Sequence, residues 1–119
     1  MRIEKVNQQL KREIGSILQR ELEDPRLAFV TIMSVDTSRD LKQAKVYFSV
    51  LGTKEQRSLA QAGLERARGL IRKLIGQRLV IRYTPELVFI YDQSIEYSDR
   101  IEQTLREIHE QAKENPRDN

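Results

Sequence analysis

The chain contains no cysteine and no tryptophan, and His109 is its only histidine. The absence of cysteine excludes disulfides and thiolate chemistry, so a reducing cytoplasm is the simplest location. A single histidine beside Glu107 and Glu110 is a poor metal site, and we expect it to be a surface residue. We therefore expect neither a metal ion nor another cofactor.

Long apolar stretches are also missing. The longest unbroken run, Leu87 to Tyr91, has five residues, whereas a membrane-spanning helix needs about 20. The amino terminus shows helical periodicity from its first residues and lacks the apolar core of a signal peptide. The sequence thus predicts a soluble cytoplasmic protein without a membrane partner.

Motifs of the common catalytic sites are absent as well. The chain has no G-x-S-x-G elbow, no H-E-x-x-H pair and no G-x-x-x-x-G-K-[ST] phosphate loop. Asp36 and Asp40 are close in sequence, but they lie in a turn-like segment where carboxylates ordinarily bond to backbone amides. We therefore predict that the protein is not an enzyme.

Charge is distributed unevenly along the 119 residues, a length that fits one domain. The net charge is +3, yet residues 54–82 carry eight basic and two acidic side chains. Residues 83–119, in contrast, carry four basic and nine acidic side chains. This asymmetry favours a polyanionic partner for the basic region, although the solvated faces of charged helices explain the same pattern.

Hydrophobic periodicity predicts an amphipathic first helix that ends near Leu22, before the helix-breaking Asp24-Pro25 pair. Two strands follow, at residues 29–35 and 44–51, joined by the polar segment 36–40. The second strand alternates cleanly, which is typical of a strand with one buried face. Two adjacent strands with a short polar connection predict an antiparallel hairpin.

In the rest of the sequence, the hydrophobic pattern predicts a helical region from Lys54 to Arg78 and a third strand at Leu87 to Tyr91. Gly63 and Gly69 each cost a helix about 1 kcal/mol, so we expect two helices meeting at a kink near Ala67–Gly69. A final amphipathic helix spans residues 97–112 and completes a single domain of residues 1–113, followed by a flexible polar tail at 114–119. The predicted fold is an α+β two-layer sandwich, with amphipathic helices on one face of a three-stranded sheet.

The basic region is a candidate nucleic-acid surface. Arg68 and Arg72 share a helix face, where their mutual repulsion is relieved by a bound phosphate. The small residues Ala67 and Gly69 allow a ligand backbone to approach closely, although, taken alone, they are better explained by packing of the helix on the sheet. The candidate contacts are Lys45, Arg66, Ala67, Arg68, Gly69, Arg72, Lys73, Arg78 and Arg82.

Short motifs along nearly the whole chain resemble the ribosome-binding factor A family. They occur in the family's order: Arg2-x-x-x-Val6, Asp24-Pro-Arg26, Val35-Asp-Thr-Ser-Arg-Asp40-Leu, Ala44-Lys-Val-Tyr47, Ala67-Arg-Gly69 with Ile71-Arg72, and Arg82-Tyr-Thr-Pro-Glu-Leu-x-Phe89. The resemblance implies a type II KH fold, in which a helix–kink–helix with A-x-G at Ala67–Gly69 replaces the usual G-x-x-G loop.

The same resemblance implies a function. Members of the family are bacterial assembly factors that bind the free 30S subunit and support late 16S rRNA maturation, notably in the cold, without cleaving RNA. Their partners include assembly GTPases that help to release them, and we expect a monomer. Three alternatives stay open: a generic KH-like single-stranded RNA or DNA module, an adaptor that uses the last helix, and an RNA-processing enzyme.

Overall fold

The structure, a computed structural model, describes residues 3–93. The helices and strands follow the predicted order over this range, except that one helix replaces the two predicted between the second and third strands: α1 (Ile3–Arg20), a short 3₁₀ turn (Pro25–Leu27), β1 (Val30–Thr37), β2 (Gln43–Val50), α2 (Lys54–Arg78) and β3 (Glu86–Tyr91). The predicted last helix, the polar tail and the carboxyl-terminal domain boundary lie outside the described residues.

The three strands form one sheet in the order β1-β2-β3. β1 and β2 pair antiparallel from Val30↔Val50 to Thr37↔Ala44, with an irregularity between Ile32 and Ser34, so the predicted hairpin is confirmed. β2 and β3 pair in parallel, which requires a long crossover, and α2 provides it. This parallel register places the start of β3 beside the start of β2.

Both helices cover the same face of the sheet, as predicted. α1 contributes apolar side chains three and four positions apart, with Leu10, Ile14 and Ile17 completely buried. Val6 and Leu18 of α1 and Leu27 of the 3₁₀ turn also belong to the core. Its remaining members come from the strands and α2: Ile32, Val35, Ala44, Val46, Phe48, Leu64, Ile71, Ile75, Leu87 and Phe89. Full burial of each large aliphatic or aromatic side chain contributes about 1.5–3 kcal/mol, which makes this single core the main source of stability.

The helix α2 begins at Lys54, as predicted, and a capping box holds its amino terminus. The backbone N–H of Gln56 donates to Thr53 Oγ1 at 3.2 Å, and the N–H of Thr53 donates to Gln56 Oε1 at 2.7 Å. These two bonds satisfy donors that the first helical turn leaves without a partner. The helix therefore starts at a position fixed by local chemistry.

The predicted division of this region into two helices was wrong. α2 is one helix of 25 residues that continues through Ala67 and Gly69. Its buried residues Leu64, Ile71 and Ile75 lie on both sides of that segment and pack in the same core. Tertiary packing of this kind outweighs the intrinsic cost of about 1 kcal/mol for each helical glycine.

Candidate nucleic-acid interface

A groove with a volume of about 1090 Å³ lies between the second half of α2, the β1–β2 turn and the α2–β3 loop. We call it the basic groove, because four cationic and two anionic side chains line it. Its lining comprises Asp40, Leu41, Lys42, Gln43, Gly69, Arg72, Lys73, Gly76, Arg82, Tyr83, Thr84 and Glu86.

The wall formed by α2 is a stripe of residues three or four positions apart: Gly69, Arg72, Lys73 and Gly76. A methyl group added at Gly69 would meet no atom within 4 Å among the described residues. A methyl group at Gly76 would lie 3.0 Å from Thr84 Oγ1. Gly76 thus lets the loop approach the helix, whereas Gly69 leaves its part of the wall open.

The loop wall is held in place by Arg72. Its Nη2 donates to the carbonyl of Thr84 at 2.9 Å, and its Nε donates to the carbonyl of Pro85 at 3.2 Å. The Pro85 side chain is fully buried, which anchors the end of the loop in the protein. Arginine has five N–H donors and these bonds use two, so Arg72 can position the loop and still contact an anion.

The third wall is the β1–β2 turn. Asp40 Oδ1 accepts hydrogen bonds from Ser38 Oγ at 2.7 Å and from the backbone N–H of Lys42 at 3.1 Å. The bond from Ser38, followed by that from Lys42, lowers the pKa of the Asp40 carboxyl. Asp40 therefore has the turn-stabilising role that the sequence predicts, and it stays ionised at neutral pH.

Leu41, in the same turn, adopts a φ of 62°. This left-handed conformation is uncommon for a residue other than glycine, asparagine or aspartate and costs about 1–3 kcal/mol. The N–H of Leu41 donates to the carbonyl of Ser38 at 2.9 Å, which closes the turn. The strained turn places Lys42 on the edge of the groove.

The groove brings together four of the residues that the sequence singled out: Gly69, Arg72, Lys73 and Arg82. Ala67 is half-buried and packs against the hydrophobic core, which favours the packing interpretation for that position. Gly69 is exposed, which favours the open-surface interpretation. The two small residues therefore have different roles.

Three further candidate cations lie on neighbouring surfaces. Arg68 is exposed and forms an ion pair of 3.2 Å with Glu65, one turn earlier in α2. Arg66 is also exposed, and its charge contributes to lowering the pKa of Asp24. Lys45 is exposed on β2, and its neighbour in the strand register is Asp36 of β1.

Arg78 points to α1 and does not line the basic groove. Its Nη2 lies 2.6 Å from Glu21 Oε1, and its Nη1 lies 3.1 Å from Glu13 Oε1. The hydrogen bonds to Glu21 and then to Glu13 raise the pKa of Arg78. Charge density along the sequence grouped Arg78 with the groove residues, but the carboxylates of α1 give it a structural partner.

Among the groove residues that sequence reasoning missed, Lys42 and Tyr83 are the two suited to contact a nucleic acid. Lys42 is distant in sequence from the basic helix, and the parallel pairing of β2 with β3 brings it close. The N–H of Glu86 donates to the carbonyl of Lys42 at 2.9 Å. Tyr83 is 58% exposed, and the guanidinium of Arg82 lies over its ring, 5.5 Å from the centroid. Two signals were available in the sequence: Tyr83 directly follows Arg82, and it belongs to the motif Arg82-Tyr-Thr-Pro-Glu-Leu-x-Phe89.

Residues 3–93 contain no group of three or more histidine, cysteine or acidic side chains arranged to hold a metal ion. Within the same range, neither helix is long and apolar enough to cross a membrane. Four cations, two carboxylates and the ring of Tyr83 line the basic groove, and its cationic side chains can bind an anionic ligand.

The fold and the groove define a small KH-like α+β domain with a basic surface. The family model for ribosome-binding factor A matches residues 2–105. A protein named ribosome-binding factor A from Natranaerobius thermophilus is 48% identical over 108 residues, which cover 91% of this chain and 82% of that protein. The chain belongs to the ribosome-binding factor A family.

Solved structures of relatives have the same fold. The crystal structure of ribosome-binding factor A from Thermus thermophilus is 30% identical, with a TM-score of 0.68, and covers 76% of this chain and 97% of that one. A homology model of the Thermus thermophilus factor, fitted into a cryo-EM map of a 30S complex, is 31% identical with a TM-score of 0.61. That match covers 73% of this chain and 91% of the other.

Proposed function

We propose that this protein is a ribosome assembly factor that binds the free 30S subunit and assists late maturation of 16S rRNA, including in the cold. Family membership supports this function, as does the 30S complex formed by the Thermus thermophilus relative. The observation that carries it is the basic groove, in which Lys42, Lys73 and Arg82 surround the open wall at Gly69.

The groove suits an RNA backbone for physical reasons. Phosphate contacts supply most of the sequence-independent affinity of RNA-binding proteins, and lysine and arginine provide them. A helix wall without a side chain at Gly69 lets the sugar–phosphate backbone come close to α2. The exposed Arg66, Arg68 and Lys45 extend the contact beyond the groove.

The protein acts by binding and does not cleave RNA. We infer that it works as a cytoplasmic monomer without a cofactor, and that assembly GTPases promote its release from the matured subunit. The main alternative is a KH-like module that binds single-stranded RNA or DNA without a ribosomal role. The two functions differ in their preferred ligand, because an assembly factor must discriminate between the free small subunit and the complete ribosome.

Sedimentation through a sucrose gradient tests the proposal. We expect the protein to migrate with separated 30S subunits and not with assembled ribosomes. A protein that stays at the top of the gradient with both particles, yet binds free single-stranded RNA, would support the generic module and contradict the proposal.

A pair of variants locates the contact. Lys73→Gln and Arg82→Gln should each weaken 30S binding and reduce the salt dependence of binding by about one phosphate contact. The matched control is Arg78→Gln, which removes the same charge from the same basic region. Since Arg78 is bound to Glu13 and Glu21, its loss should lower stability and leave 30S affinity unchanged. Equal effects of all three variants on binding would place the interface outside the groove.

A further inference from the structure

Tyr83 is the only aromatic residue among the described residues that line the basic groove. Single exposed apolar residues are common on protein surfaces and carry little meaning by themselves. The surroundings of Tyr83 are more informative, because the residue is 58% exposed and lines a groove that also contains four cationic side chains. The Arg82 guanidinium lies over the ring, 5.5 Å from its centroid. Tyr83 itself lines the basic groove.

The loop that carries Tyr83 is anchored directly after this residue. The two residues that follow, Thr84 and Pro85, have their carbonyl groups fixed to α2 by Arg72. Pro85 is buried, and the N–H of Glu86 bonds to the carbonyl of Lys42. A ring on a loop anchored in this way loses little conformational freedom when a ligand binds, and such preorganisation increases affinity.

The arrangement of charge around the ring indicates the chemical class of the ligand. Lys42 is on the turn wall, and Lys73 is on the helix wall beside the open position at Gly69. A planar, apolar surface flanked by cations matches a nucleotide, whose base stacks and whose phosphate is anionic. In an RNA duplex the bases are already stacked and their faces are inaccessible, so this combination selects unpaired nucleotides.

We propose that the basic groove binds an unpaired nucleotide of a single-stranded RNA segment, with the base stacked on Tyr83 and its flanking phosphates bound by Lys42 and Lys73. This inference rests on the proposed function and refines it, since it specifies unpaired rRNA as the ligand of the groove. The Tyr83 ring supplies stacking, and Arg72 positions the loop that carries it.

The test uses the full chain with two probes, a short polyuridine strand and a blunt RNA duplex of the same length. Tyr83→Ala should weaken binding of the single strand by about tenfold or more, the range for loss of one stacked base. Tyr83→Phe keeps the ring and should keep the affinity. Duplex binding should be weaker in the native protein and the same in both variants.

Tyrosine fluorescence provides a second readout, because the chain has no tryptophan. The single strand should quench tyrosine emission of the native protein, and Tyr83→Phe should abolish most of that quenching while it preserves affinity. Unchanged single-strand affinity in Tyr83→Ala, or equal affinity of the native protein for strand and duplex, would overturn the proposal. Failure of the proposed function is distinguishable, since native protein would then bind the strand but would not sediment with 30S subunits.

Discussion

Gly63 and Gly69 both lie in α2, but their surroundings are opposite. A Cβ atom at Gly63 would lie 3.1 Å from Leu27 Cδ2 and 3.4 Å from Asp24 Oδ2, so the helix packs there directly against the 3₁₀ turn. At Gly69 the same atom would meet nothing within 4 Å among the described residues. One glycine permits close packing, and the other keeps a surface open.

This difference divides α2 into a first half that packs against the 3₁₀ turn and a second half that we propose as an RNA contact. The Asp24-Pro-Arg26 motif packs against the first half of α2 at Gly63. Within the motif, the Asp24 carboxylate accepts a hydrogen bond from the backbone N–H of Arg26 at 3.0 Å and forms an ion pair of 2.7 Å with the Arg26 side chain. The second half carries Lys73 and Arg72 on the wall of the basic groove. Substitutions in the two halves should therefore affect different measurements.

The largest effect is expected from Gly63→Leu. A leucine side chain at this packed position must displace Leu27 and the turn that carries it, and such overpacking costs about 1–3 kcal/mol. Urea denaturation should show a correspondingly lower free energy of unfolding. The matched control, Gly69→Leu, should be at least as stable as the native protein, because leucine is the better helix former and the site is open. Equal destabilisation by both substitutions would contradict the division.

A smaller effect of opposite sign is expected from Gly69→Ala. Alanine should stabilise α2 by up to about 1 kcal/mol, since the added methyl group meets no neighbour among the described residues and glycine is a poor helix former. If RNA approaches the helix at this point, the same substitution should weaken 30S binding, as measured by co-sedimentation across a protein titration.

The control for Gly69→Ala is Gly15→Ala in α1, where a Cβ atom also meets nothing within 4 Å in the described part of the chain. It should raise stability by a similar amount without any loss of binding. A Gly69→Ala variant that is more stable and binds normally would show that the open wall is not a contact surface.

Much of this fold follows from local patterns in the sequence. The spacing of Leu10, Ile14 and Ile17 identifies α1, and the alternation of Ala44, Val46 and Phe48 identifies β2 and its buried face. The failure at α2 has a clear physical origin. Helix propensity is local, whereas the packing that keeps the helix continuous involves residues distant in sequence.

The candidate site was predictable only where it is continuous in sequence. Lys73 and Arg82 stand out as part of a basic segment, but Arg78 belongs to the same segment. Only the ion pair of Arg78 with Glu21 distinguishes this structural arginine from the cations that line the groove. Lys42 enters the site through the pairing of β2 with β3, which short-range sequence patterns do not specify. Charge density therefore identifies a region of the chain, and topology decides which of its residues share a surface.

The smallest predicted effect is a pH dependence of stability that arises from Asp24, in the turn packed against the first half of α2. Hydrogen bonds from the Arg26 side chain and then from its backbone N–H lower the pKa of Asp24 below its ordinary value of 3.8. A carboxyl group whose pKa is lowered by folding contributes stability above its unfolded pKa, and that contribution is lost as the pH falls through the folded pKa. Asp24→Asn should therefore be less stable than the native protein at neutral pH, and the difference should shrink below about pH 4.

Denaturation curves across the acid range measure this difference directly. Asp40→Asn should show the same trend, because the pKa of the Asp40 carboxyl is also lowered. Parallel stability profiles for the native protein and Asp24→Asn would mean that the charge of Asp24 does not stabilise the turn packed on Gly63.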